Sequence, residues 1–176
     1  MKFKALFLVL ALASLAGCAT QAPLPTVAAV DAQRYMGAWY EIGKLPNRFQ
    51  KQCVANTVAN YTLVSPTEIT VTNTCQTADG KTETAVGVAN PVAGANNSKL
   101  RVSFFRPFYG DYWILDLGAN YEWVLIGEPK RDYAWVLSRT PNLPDATYAQ
   151  ALAKAKSLGF NDAAFVKTVQ NQALKP

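Results

Sequence analysis

The chain has 176 residues, half of them hydrophobic, and 17 lysines and arginines against 12 acidic residues give a formal charge of +5. That length makes one domain with enough chain for a real core, and a basic excess spread without blocks argues against a nucleic-acid partner. There is no histidine, which removes Ser-His-Asp and Cys-His catalysis, the H-E-x-x-H zinc motif and histidine-ligated haem; no catalytic residue, metal site or cofactor is expected.

At the N-terminus, Lys2 and Lys4 precede an apolar run from Ala5 to Ala13, followed by Leu15-Ala16-Gly17-Cys18. A basic start, a short apolar core and small residues before a cleavage point make a secretory signal, too short to span a bilayer. The Leu-Ala-Gly-Cys ending resembles the lipobox of bacterial lipoproteins. That resemblance implies that residues 1–17 are a lipoprotein signal peptide and that Cys18 becomes the first mature residue, carrying a diacylglycerol thioether and an N-linked acyl chain such as palmitate. Ala19, rather than Asp, follows it; by the sorting rule of that class, this implies the outer membrane of a Gram-negative envelope, with the protein lipid-anchored and facing the periplasm. Combined acyl chains anchor stably, at about 0.8 kcal/mol per buried CH₂. Residues 18–30, small and Pro-containing, read as an acylated tether, and 31–176 as the folded domain.

From residue 38, short strands alternate with turn signals. Strands are expected at 38–45, 53–64, 68–77, 82–90, 99–105, 111–117, 121–127 and 132–139, with the strongest hairpin signal at Asp79-Gly80. Eight strands in unbroken order predict an all-β fold, an eight-stranded antiparallel up-and-down barrel without exposed sheet edges. One C-terminal α-helix follows, from Asp145 to the stop at Gly159, with Tyr148, Ala151, Leu152, Ala155 and Leu158 on one face. It is expected to pack outside the barrel. A last strand at 164–170 is expected to add to the sheet's outer surface.

Charge sets the expected strand faces. Glu122 outward turns Tyr121, Trp123 and Leu125 inward, and Asp116 outward turns Trp113, Leu115 and Leu117 inward. Lys99 and Arg101 outward turn Leu100, Val102 and Phe104 inward. Ala55, Ala59, Tyr61 and Leu63 share an inner face, as do Ile69, Val71, Asn73 and Cys75; in 82–90, Ala85, Gly87 and Ala89 compete with Val86 and Val88 for it. From this set Tyr61, Val71, Val102, Phe104, Trp113, Leu115 and Trp123 are the expected ligand contacts. A solid core without a cavity is the alternative. Glu41 shares parity with inward Trp39, and an inner carboxylate needs a partner or a proton; an outward Glu41 under the helix is the other reading.

Cys53 and Cys75 remain after Cys18, and two cysteines in an oxidising compartment are expected to pair. Strict pairing across the 65–67 turn sets Thr57, not Cys53, opposite Cys75. A bulge or bend after Cys53 is therefore required.

Gly37-Ala38-Trp39-Tyr40-Glu41-Ile42, then Asn120-Tyr121 with Trp123-Val124-Leu125-Ile126, then Leu137-Ser138-Arg139-Thr140-Pro141 resemble in order the three conserved regions of the lipocalins. Val102-Ser103-Phe104-Phe105 and Pro107-Phe108-Tyr109-Gly110 resemble the bacterial outer-membrane lipocalins related to apolipoprotein D and the plant temperature-induced lipocalins. The second region departs from the family, with Ala119-Asn120-Tyr121 for the usual Thr-Asp-Tyr. The resemblance implies structural roles for Gly37, Trp39 and Arg139: Trp39 plugs the closed end and the Arg139 guanidinium stacks over it. It implies a ligand as well, a fatty acid or lysophospholipid stored or transported in the barrel, with Arg106, Tyr109 and Tyr112 as headgroup candidates at the mouth. Two other readings stand beside it. One is a structural envelope lipoprotein without a ligand. The other is an enzyme on a hydrophobic substrate, for which only the cysteines, Glu41 and tyrosines are available. Whether the barrel forms a homodimer is left open.

Overall fold

The computed structural model describes residues 22–171. A short helix α1 (Ala32–Tyr35), N-capped by Asp31, leads into β1 (Gly37–Lys44). Then come β2 (Cys53–Ser65), β3 (Glu68–Thr77), β4 (Thr82–Pro91), β5 (Lys99–Phe105), β6 (Phe108–Leu117), β7 (Trp123–Gly127) and β8 (Ala134–Ser138). Helix α2 (Asp145–Ser157) and a two-residue β9 (Val166–Lys167) complete the chain. Each of the eight strands pairs antiparallel with its neighbours, and β1 pairs with both β8 and β2, which closes the barrel. The β1–β2, β3–β4, β5–β6 and β7–β8 connections therefore share one end, the open one.

The wall carries a buried apolar cluster on each side. One cluster draws Trp39, Tyr61, Val71, Ala89, Leu100, Ile114, Val124 and Leu137 from β1 to β8 in turn. Side chains from all eight strands meet only inside the barrel. The other joins Ile42, Leu115, Trp123, Leu125 and Val136 to Tyr148, Ala151 and Ala155 of α2. It is the outer face of β6, β7, β8 and β1, covered by the helix. All of β7 is consequently buried.

Cys53 and Cys75 are bonded, with Cα atoms 5.5 Å apart. The required bulges lie between Cys53 and Val58, where Asn56 has φ +55°, and they carry Cys53 opposite Thr77.

Three expectations are corrected. Trp113, Leu115, Trp123 and Leu125 face outward, toward the helix, not into the barrel. Glu122 precedes β7 and Tyr121 before it has φ +62°, so its orientation is not passed along the strand. In β6 the register slips between Ile114 and Asp116, so Leu115 and Asp116 lie on one side. Second, the later part of the expected tether lies on the barrel: Leu24 and Val30 are buried, and Val27 N donates to Ile114 O. Cys18 and the signal lie outside the described residues. Third, the C-terminal segment enters the wall instead of coating it. Gly43 and Lys44 pair with Lys167 and Val166, Thr168 N donates to Ile42 O, Asn56 N donates to Val169 O, and Gln170 Nε2 donates to the carbonyls of Glu41 and Thr57. The segment fills the gap where β1 and β2 splay apart above Tyr40 and Val58, their last paired residues.

Candidate ligand site

The closed end is built around Trp39, which is fully buried; its Nε1 donates to Tyr35 O at 2.8 Å. Arg139 lies 3.9 Å from the centre of the Trp39 ring and donates to the carbonyls of Met36, Ala38 and Arg34. A cation held over an indole contributes about 0.5–2 kcal/mol, and the three carbonyls fix the guanidinium in place. Gly37, at φ +89°, makes the turn from α1 into β1, and a Cβ there would sit 3.6 Å from Arg139 Nη1.

Above this plug, Tyr112 Oη bonds Tyr35 Oη at 2.7 Å and Tyr61 Oη at 2.8 Å. Three hydroxyls carry three protons, and two bonds consume two of them. One O–H donor is left over in every arrangement. Burial raises all three hydroxyl pKa values, that of Tyr61 to about 12, so the triad is neutral and keeps one O–H donor uncommitted within it.

Toward the mouth the inner wall turns polar. Glu41 is inward and buried, and its carboxylate is paired. Lys44 Nζ lies 2.8 Å from Oε1, Thr168 Oγ1 donates to Oε1 at 2.6 Å, and Gln50 Nε2 donates to Oε2 at 2.8 Å. Gln50 Oε1 in turn accepts from Trp135 Nε1 at 3.0 Å. The register slip between Glu41 and Gly43 returns Lys44 to the face of Glu41. Asn73 Oδ1 and Thr57 Oγ1 are buried without a hydrogen-bond partner; buried polar atoms in that state call for water or a ligand. Asn73 sits between Ala59 and Ala85, two small neighbours.

Of the expected ligand contacts, Tyr61 and Val71 are buried inside the barrel and Val102 packs against the same cluster. Phe104 lies against the inner side of Gly87 and is 44% exposed. Ala85, on the face of buried Gly87 and Ala89, is also exposed, so the inner wall opens to solvent toward the mouth. Trp113, Leu115 and Trp123 are outside: Lys99 Nζ stands 3.9 Å from the Trp113 ring, and Trp123 lines a groove of about 410 Å³ between the β6–β7 connection and the start of α2. Among the headgroup candidates, Tyr112 is inside, in the closed half; Arg106 lies 3.9 Å from Glu68 and Tyr109 lies under Arg101, both away from the interior. Tyr35, Ile114, Val124, Ile126 and Trp135 line the interior and were not singled out. For Ile114, Val124 and Ile126 the signal was there, as the opposite parity of the same strands. Among the described residues no cluster of three or more His, Cys, Asp or Glu could hold a metal, and no helix is long and apolar enough to cross a membrane.

A closed up-and-down barrel with an aromatic floor, an apolar lining and a polar mouth is the architecture of a carrier for small hydrophobic molecules. Residues 30–170 match the lipocalin-like domain model, and the chain belongs to the lipocalin family. It is 36% identical over 156 residues to temperature-induced lipocalin-1 of Arabidopsis thaliana, covering 84% of this chain and 83% of that one. It is 36% identical over 137 residues to the outer membrane lipoprotein Blc of Escherichia coli K12, covering 77% of each. Among solved structures, insecticyanin from the tobacco hornworm Manduca sexta superposes with a TM-score of 0.71 over 88% of both chains at 19% identity, a likeness of fold.

Proposed function

We propose that the protein is a lipid-binding lipocalin anchored to the outer membrane through acylated Cys18, holding a fatty acid or lysophospholipid in its barrel. The observation that carries this is the inner wall itself: apolar side chains from all eight strands, with a spare hydroxyl donor at the floor and a polar collar below an open mouth. An acyl chain gains about 0.8 kcal/mol per CH₂ buried there, and a headgroup finds donors and acceptors near Lys44 and Asn73. Relatives named outer membrane lipoproteins support the location, as does the Leu15–Cys18 lipobox. Residues 1–17 are then the signal, and residues 18–30 lead from the acylated cysteine into the barrel.

The test is lipid analysis of protein purified from its native envelope, followed by titration of delipidated protein with fatty acid, read as tryptophan quenching. Saturable binding is expected. Val102→Trp, which fills the interior, should weaken it about tenfold or more, while Val86→Trp on the exposed outer face leaves it unchanged. Absence of co-purified lipid together with non-saturable quenching refutes the reading. Labelled palmitate should enter the wild-type chain and not Cys18→Ser.

A further inference from the structure

All four exposed phenylalanines among the described residues stand at the open end. Phe49 (51% exposed) is on the β1–β2 connection, Phe104 is the penultimate residue of β5, and Phe105 (76%) and Phe108 (70%) flank the β5–β6 turn. The Phe105 and Phe108 rings stack on each other, 6.2 Å apart, and Phe49 leans on Tyr133 of the β7–β8 connection. Exposed apolar groups gathered in one place mark a contact surface. The connection bearing Phe49, residues 45–52, also carries exposed Arg48 and Lys51 and no acidic residue. Aromatic side chains beside exposed cations suit the boundary between acyl chains and lipid phosphates.

An independent observation concerns the path of the N-terminal segment. Val30 N bonds Asn96 O in the β4–β5 connection at the closed end, and Val27 N bonds Ile114 O in the wall. Ala22 O accepts from Arg131 Nη2 at 2.9 Å, and Arg131 belongs to the β7–β8 connection. Followed backwards, the chain climbs the barrel from its closed end to its open end. Cys18 stands four residues before Ala22, a span of at most about 14 Å fully extended.

We infer that the barrel sits mouth-down on the bilayer, with Phe49 and the Phe105–Phe108 pair in the interfacial layer and Arg48 and Lys51 on lipid phosphates. The inference rests on the acylation of Cys18 proposed above. An acyl group that close to the rim holds the open end, not the closed end, at the surface. A single-chain lipid then passes between bilayer and barrel without crossing water.

The experiment uses the acylated full-length protein in vesicles of phosphatidylethanolamine and phosphatidylglycerol. Benzoyl-phenylalanine replaces Phe49, Phe105 or, as a closed-end control, Ala119, which is exposed on the β6–β7 connection. After irradiation, lipid adducts at Phe49 and Phe105 should exceed those at Ala119 by about tenfold or more, because adducts form only where the residue reaches the interface. Phe49→Asp combined with Phe105→Asp should keep palmitate and vesicle association while lowering adducts from a probe at Phe108. Equal or greater adduct yield at Ala119, or protein–protein adducts at the rim in place of lipid ones, overturns the inference; the latter would show a second copy on this surface. A chain without palmitate that fails to join vesicles overturns the anchoring and this orientation together. An acylated, vesicle-bound chain labelled at Ala119 overturns the orientation alone.

Discussion

Tyr112 is the hub of the buried hydroxyl triad, and its loss should cost more than the loss of either partner. Tyr112→Phe removes both bonds, at 2.7 and 2.8 Å, and strands the hydroxyls of Tyr35 and Tyr61, which are only 2% and 3% exposed. A buried hydroxyl left without a partner costs about 1–3 kcal/mol, so the expected destabilisation is about 2–6 kcal/mol. Tyr35→Phe or Tyr61→Phe removes one bond and leaves Tyr112 its other partner, an effect of about 1 kcal/mol. The ordering inverts ordinary additivity. Replacing all three tyrosines by phenylalanine strands nothing, so the triple variant should be more stable than Tyr112→Phe alone. Urea unfolding at neutral pH, read as a change of midpoint at constant slope, measures the series. A Tyr112→Phe variant no worse than the two outer single variants, or a triple variant that recovers nothing, would refute the shared-hub reasoning.

Alkaline pH probes the same groups: with the Tyr61 pKa raised from 10.0 to about 12 by burial, the unfolded chain loses this proton before the folded one does. Stability should thus be intact below about pH 10 and fall as pH rises beyond it, Tyr61 accounting for roughly 3 kcal/mol of the loss and the likewise raised Tyr35 and Tyr112 for the rest; Tyr61→Phe should lessen the fall without abolishing it, as followed by circular dichroism. Replacing Cys53 and Cys75 together by alanine opens a loop of 22 residues and should cost about 3 kcal/mol in urea or heat, with the barrel still folded by far-ultraviolet circular dichroism; an unchanged midpoint would count against it. Arg139→Lys keeps a charge over Trp39 but cannot reach three carbonyls at once, so it should destabilise by about 2 kcal/mol or more, and a thermal melt matching wild type would contradict the assigned role.

The strand order was legible because turns and strands announce themselves locally. Asp79-Gly80 fixes one hairpin, and Gly80 takes the φ of +80° that an L side chain resists. The expected bounds of the third and fifth strands, 68–77 and 99–105, are those of β3 and β5. Face assignment followed the same logic where one side of the wall meets water. Lys99 and Arg101 set β5 correctly, and in β3 the expected inner face holds, with Ile69 and Val71 in the inner cluster. It failed in β6 and β7, where α2 covers the outer face and apolar residues occupy both sides. Alternation then carries no sign, and the nearest charges, Asp116 and Glu122, sit at a register slip and outside the strand. The helix was expected outside the barrel; what was missed is that its presence cancels the rule used on the strands beneath it.

The polar part of the site was hidden for a different reason. Glu41 meets Thr168 across 127 positions of sequence, and Asn56 meets Asn171 across 115. No local pattern relates such residues. Glu41 shared parity with Trp39, and a buried carboxylate demands partners; that much chemistry pointed to an unseen cation and donors. Lys44 was three residues away, but simple alternation puts residues 41 and 44 on opposite faces, and only the slip between Glu41 and Gly43 reunites them. Gln50 adds a donor from the β1–β2 connection, and the last donor, Thr168, comes from the C-terminal segment, whose apolar–polar alternation announced a strand but not its place. That place follows from an accounting of backbone bonds. Where β1 and β2 part above Tyr40, their facing N–H and C=O groups lack partners, and unpaired backbone in a barrel wall is costly. The segment from Val166 to Asn171 supplies those partners and delivers Thr168 to Glu41 in the same step. Closure of the wall and neutralisation of the inner carboxylate are therefore one structural event, and the polarity of the mouth depends on the last strand of the chain.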